Sequence, residues 1–326
     1  MKKILTLCAL LLSSLPSWSF TPESGLYWDP DEAGSGFNFE IQDNFFFGIF
    51  YVFDDFGNAY WYTTSGFMEG NSYVEGDIFI SEEGPCLGCS WTPTNTYASN
   101  LGKAKINFLT ETTATIEYLG QIKYIERFNF FLGDELQKMR GEWQVVYDVS
   151  EYSNGFPFFA DVLIFEQTET FNGDYLATGC RSESTIYNRC TNYALNNNDL
   201  AAAYDTVNDE LIAVVRDDDD YYLAYYLKTG TNQFDGEAFS YEVGSSPNLN
   251  LAGFSVRGFR SASKTFVDTG TGPSKSAAST NKTAMGLNKM LDPQNLKAAP
   301  SSSLDAATQE RVMSTIKKLE AQLQQQ

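Results

Sequence analysis

The chain has 326 residues, 42 acidic and 22 basic, a formal net charge of −20 and no histidine. Without imidazole it can build neither a Ser-His-Asp or Cys-His centre nor a histidine-ligated zinc site, and so acidic a surface repels nucleic acid and anionic lipid. With 43% hydrophobic and 15% aromatic residues it has the material for a sizeable buried core.

From the N-terminus, Met1-Lys2-Lys3 is a short positive start and Ile4 to Leu12 is apolar. Ser13 to Ser19 follows with small residues, Ser17 and Ser19 standing at the −3 and −1 positions of a cut before Phe20. This is the layout of a secretory signal peptide over residues 1–19, whose apolar run is too short to span a bilayer. The expected product is exported, periplasmic or extracellular, with no integral membrane span.

Residues 20–135 read as a first β domain. Phe37, Phe39 and Ile41 alternate with Asn38, Glu40 and Gln42, the period of a half-buried strand. Asp43-Asn44 turns the chain into Phe45 to Phe53, apolar on both faces, and Asp54-Asp55-Phe56-Gly57-Asn58 turns it again into Ala59 to Thr64. Tyr73 to Ile80, Lys103 to Leu109, Thr113 to Tyr118 and Ile122 to Phe130 continue the meander. No basic residue lies between Lys3 and Lys103.

A boundary near residues 133–140 opens a second domain, residues 136–262. There Leu211 to Val215, the acidic run Asp217 to Asp220 and Tyr221 to Leu227 repeat the strand, acidic turn and aromatic strand of Phe46 to Tyr62. Each half opens on a glycine just ahead of a tryptophan, Gly25 and Trp28 or Gly141 and Trp143. Each ends with arginine on a final aromatic strand, Arg127 or Arg257 and Arg260. A duplication is expected. The fold class is all-β, two tandem antiparallel barrel-like domains, because short strands joined by short turns build barrels or sandwiches.

Residues 263–303 are Ser, Thr, Ala, Lys and Pro with one aromatic, Phe266, a composition that buries too little surface to offset its ordering entropy and reads as a disordered linker. Within 304–326, Val312, Ile316, Leu319 and Leu323 make one apolar seam of an amphipathic helix. Two heptads are marginal alone, so this helix docks on something or self-associates weakly as a homo-oligomer.

Four cysteines follow the leader, and in an oxidising compartment an even number favours disulfides. Of three connectivities, Cys86–Cys89 and Cys180–Cys190 keep each bridge within one domain. Cys86-x-x-Cys89 also has redox spacing, but Pro85, Gly88 and Pro93 place it in a loop rather than at a helix N-terminus that would lower a thiol pKa. Asp54 and Asp55, and Asp217, Asp218, Asp219 and Asp220, offer hard oxygen donors for calcium without the alternating spacing of an EF-hand loop. Turn chemistry explains the same residues without a metal. No other cofactor is expected.

Gly25-Leu26-Tyr27-Trp28-Asp29-Pro30-Asp31-Glu32-Ala33-Gly34-Ser35-Gly36-Phe37 resembles a motif of secreted bacterial proteins of undefined function, Gly-x-x-Trp-x-Pro-x-x-x-Gly-x-Gly-Phe, and the likeness runs on through Tyr60-Trp61-Tyr62. Gly141-Glu142-Trp143 with a late Arg257 or Arg260 resembles the first-strand Gly-x-Trp and last-strand Arg of lipocalin-like (calycin-like) barrels. That resemblance implies an arginine packed on the indole at the barrel base, a role extended to Trp28 and Arg127 in the first half. The lipocalin Thr-Asp-Tyr motif has no counterpart here.

The surplus aromatics mark the candidate ligand contacts: Trp28, Phe50, Tyr51, Tyr60, Trp61, Tyr62, Tyr222 and Tyr225. Such residues stack on sugars, anchor a protein partner or pack between domains. The expectation is an exported binding or envelope-interaction protein for a small molecule, glycan or protein. An assembly protein joined through residues 304–326 is one alternative. A carboxylate-dependent hydrolase is the other, although the chain carries no recognisable catalytic motif.

Overall fold

The computed structural model describes residues 20–70, 72–130, 132–152, 157–181, 199–217, 220–269 and 300–324. The expected leader, Cys190, Asp218, Asp219 and residues 270–299 of the expected linker lie outside them. The first eight strands are β1 (Gly25–Trp28), β2 (Gly36–Gln42), β3 (Phe45–Phe53), β4 (Ala59–Phe67), β5 (Tyr73–Glu82), β6 (Asn95–Phe108), β7 (Thr113–Tyr118) and β8 (Gln121–Arg127). Each pairs antiparallel with the next, and β8 returns to β1, so the sheet closes into an eight-stranded barrel. Closure removes the free sheet edges that would template aggregation.

The second barrel repeats this plan. A short helix α1 (Glu135–Met139) leads into β9 (Gly141–Asp148), β10 (Phe158–Phe171), β11 (Asp174–Arg181), β12 (Leu200–Asp205), β13 (Glu210–Arg216), β14 (Tyr221–Thr229), β15 (Gln233–Glu242) and β16 (Phe254–Ser263). β16 closes on β9. Asp134 caps α1 by accepting from Gln137 N at 2.9 Å, and Leu136 and Met139 pack into the second core, so α1 belongs to the second barrel. The all-β reading with two barrels therefore holds.

Strand alternation fills both interiors. In the first, Tyr27, Phe37, Phe39, Phe46, Phe50 and Phe108 point inward with Ile78, Ile106, Ile116 and Ile125. In the second, Trp143, Val145, Leu163, Phe165, Leu211, Val215, Leu223, Leu227, Phe234 and Val256 do so. Among the described residues both interiors are filled by these side chains, which an eight-stranded barrel is about wide enough to hold.

Among the described residues, two helices follow β16: α2 (Lys264–Thr269) and α3 (Ala306–Gln324). The seam Val312, Ile316, Leu319 and Leu323 is buried on the outer face of the second barrel, against Leu176, Ala201, Ile212, Val214, Tyr222, Ala224 and Tyr241. The stripe that could pair two chains is thus occupied by the chain's own barrel. Arg311 adds ion pairs to Asp205 at 2.8 Å and Glu210 at 2.6 Å. Among the described residues, no helix is long and apolar enough to cross a membrane.

The barrels meet base to base. Glu23, just ahead of β1, is buried, and its Oε1 accepts from Asn232 N at 2.6 Å and Gln233 N at 3.2 Å in the β14–β15 turn. Its other oxygen lies 3.3 Å from Arg127 Nε.

Candidate functional site

The base of each barrel is closed by the same device. In the second, Arg260 stacks over Trp143, its guanidinium carbon 4.2 Å from the ring, and donates to the carbonyls of Arg140, Lys138 and Thr231. Burial pulls this guanidinium down to about 10, against the opposing pull of Glu23. Trp143 Nε1 donates to the Met139 carbonyl, four residues back, at 2.7 Å. In the first barrel Tyr27 Oη donates to the Glu23 carbonyl, also four residues back, at 2.7 Å, while Arg127 Nε donates to the Ser24 carbonyl at 3.2 Å.

Gly25 and Gly141 sit at the same place in the two devices, with φ of 144° and 139°. A Cβ at either would lie about 3 Å from the guanidinium that follows, so both the backbone angle and the close approach require glycine. Two assignments change. The counterpart of Trp143 is Tyr27, not Trp28, which faces outward and packs on Phe128 at 5.0 Å. Arg257 is not a closing arginine; it points out of β16 and pairs with Asp235.

The second interior also holds an ion triad. Arg181 Nη1 donates to Asp217 Oδ1 at 2.7 Å, and its Nε pairs with Asp161, both carboxylates being buried. Burial raises Asp161 despite the guanidinium beside it. Nearby, the hydroxyls of Tyr147 and Tyr225 are 2.6 Å apart. Tyr225 is therefore core rather than ligand surface, and so are Phe50, inside the first barrel, and Tyr222, under α3.

The acidic turns are used locally. Asp54 Oδ1 accepts from Phe56 N and Asn58 N at 2.9 and 2.8 Å; the Asn58 side chain, then these amides, hold its carboxyl below the usual range. Asp55 is exposed in the same turn, Asp217 belongs to the triad and Asp220 starts the turn's return. Among the described residues, no group of three or more Cys, Asp or Glu side chains could hold a metal ion. Cys86 and Cys89 are disulfide-bonded across a loop with Cα atoms 5.1 Å apart. Cys180 is also disulfide-bonded.

The outer face of the β3–β4 hairpin is accessible. Alternation along β3 sends Phe46 and Phe50 inward, and Phe45, Phe47, Tyr51 and Phe53 outward. On β4, Trp61 and Phe67 point outward, 53% and 70% exposed, far above what a core-forming aromatic shows. Register places Tyr51 directly opposite Trp61 and Phe45 opposite Phe67, whose rings are 5.3 Å apart. Tyr60 and Tyr62 take the other face, half-buried toward the barrel interior, rings 5.2 Å apart.

A polar row on β2 borders this aromatic strip. Glu40 lies opposite Phe47 and Gln42 opposite Phe45, Gln42 Nε2 donating to Glu40 Oε1 at 3.2 Å. Six large aromatics on one sheet face exceed the scattered exposure normal for a soluble domain. Of the expected contacts, Tyr51 and Trp61 come together here. Phe45, Phe47, Phe53 and Phe67 were not singled out, although the period-two rule applied to Phe45–Phe53 puts half of that run on the outer face. No protein-family profile, no curated protein and no solved structure matches the chain, so the geometry above carries the functional reading alone.

Proposed function

We propose that this is an exported, non-catalytic binding protein, periplasmic or extracellular, whose recognition surface is the aromatic outer face of β3 and β4. The observation that carries the reading is the array of Phe45, Phe47, Tyr51, Phe53, Trp61 and Phe67 on one sheet face, exposed and without a covering element among the described residues. Tyr and Trp offer an apolar body with one polar end, suited to a partner that is apolar on its faces and wet at its edges. Neutral glycans have that character, with C–H faces to stack on the rings and hydroxyls to donate to Glu40 and the Gln42 carbonyl. The acidic first barrel disfavours anionic polymers. A buried small molecule is less well supported, since both interiors are packed.

The test is affinity electrophoresis against neutral and acidic polysaccharides. Trp61→Ala and Tyr51→Ala should each weaken retention by roughly tenfold or more, as for an interface anchor. Being exposed, they should leave stability within about 0.5 kcal/mol. Equal retention of both variants would sink the assignment.

A further inference from the structure

Away from the aromatic face, a cleft of about 1010 Å³ opens where three parts of the chain converge. The first barrel contributes Phe20 and the β6–β7 turn with Leu109 and Glu111. The second contributes the outer face of β15 and β16 with Asp235 and Glu237, and the segment before α3 contributes Leu304. Its volume is at the upper end of small-molecule sites.

Glu111 is the singular residue in it. Glu111 borders the cleft, the residue is 1% exposed, and its buried Oε1 has no hydrogen-bond partner. Its backbone is pinned, its carbonyl accepting from Glu23 N at 2.8 Å. A buried acceptor left unpaired costs about 1–3 kcal/mol, more if charged, and such groups usually await a partner. Beside it, the buried Oδ2 of Asp235 also has no hydrogen-bond partner, its Oδ1 being taken by Arg257. Glu237 Oε2 accepts only a long bond from Gly253 N, 3.5 Å.

We propose that this cleft binds an aliphatic ammonium group, with Glu111 as its counter-ion and Asp235 and Glu237 as further acceptors. An ammonium brings three donors and one charge, which separate carboxylates can satisfy. Calcium would need six to eight oxygens, and no metal-holding cluster exists among the described residues. The apolar lining of Phe20, Leu109 and Leu304 suits an alkyl chain. The same charge has two sources: a diffusible amine, or the α-ammonium that removal of residues 1–19 would leave on Phe20 itself. The second source rests on the export reading above.

Proton linkage gives the site a signature. Burial, opposed by a hydrogen bond from its own main-chain amide and aided by the Asp235, Glu23 and Asp209 carboxylates, raises Glu111 to about 7. Lys228 of β14 and Arg257 of β16 are the cations lining the same cleft. A cation selects ionised Glu111, so affinity rises with pH through this value and binding releases a proton.

The experiment is calorimetric titration of the purified protein with 1,4-diaminobutane at about pH 6 and about pH 8, with Glu111→Gln and Glu237→Gln variants. Thermal melts confirm that each variant is folded. Saturable binding, tighter at the higher pH and weakened roughly ten- to a hundredfold by Glu111→Gln, supports a diffusible amine. If the diamine does not bind, the α-amine of a chain starting at Phe20 is titrated by NMR after ¹³C-methylation. A value above the ordinary range of about 7.7–8.0 that returns to it in Glu111→Gln assigns the site to the chain's own terminus. Binding unaffected by Glu111→Gln, or neither signal, overturns the proposal.

Discussion

At the scale of single residues, one step of register decides what an aromatic does. Tyr27 and Trp28 are adjacent, but only Tyr27 points inward to close its barrel, because neighbouring side chains on a strand take opposite faces. The sequence pattern of glycine ahead of tryptophan placed the two repeats one residue out of phase, since a tryptophan is the more conspicuous letter. The arginine question is resolved the same way. Arg260→Ala removes the donor of several main-chain carbonyls and the cation over Trp143, so it should cost about 3 kcal/mol or more in chemical denaturation. Arg257→Ala loses a half-exposed ion pair and should cost only about 1 kcal/mol. Glu111 was illegible for a different reason: among 42 acidic residues, nothing in the letter order distinguishes the one that folding buries.

At the scale of elements, hydrophobic periodicity was the most readable signal. The alternation in Phe37–Gln42 and the seam in α3 both appear in the structure as expected. What periodicity omits is the partner. The seam predicted a surface to bury without saying which, and the answer lies in β12–β14, whose residues are apolar on both faces. One face fills the barrel; the other, Ala201, Ile212, Val214, Tyr222 and Ala224, receives α3. The aromatic excess in Tyr221–Leu227 thus reflects two cores sharing one strand. Leu319 is fully buried there, so Leu319→Ala should cost about 2–5 kcal/mol. Lys318→Ala, one position away and 63% exposed at its side chain, should cost less than about 0.5 kcal/mol in the same denaturation series.

At the scale of the whole molecule, the presence of two barrels was visible from repeated strand and turn patterns, but the joint between them was not. It is built from groups far apart in sequence: Glu23 and Glu111 of one barrel against the β14–β15 turn and β15 of the other. This joint should respond to pH. Glu111 sits near 7 when folded and at 4.5 as an ordinary glutamate, so the folded state holds a proton that unfolding releases. Stability therefore falls as pH rises from about 4.5 to about 7, by up to about 3 kcal/mol, and is level above that window. Thermal melts of Glu111→Gln should lack this slope and exceed the parent protein at about pH 8, the two converging near pH 5.

The clasp formed by Glu23 on the Asn232 amide also sets an order of events. Its two ends are 209 positions apart, and the earlier one is among the first residues after the expected cut. With synthesis at about 5–20 residues per second, about 5–20 s separate the last residue of β8 from the Asn232 amide that completes the clasp. A first barrel that closes before residue 232 is available does so with Glu23 facing water and the neighbouring Glu111 not yet enclosed. The junction forms only once residue 232 is available, and a chain cut before it leaves the base of the first barrel without its clasp.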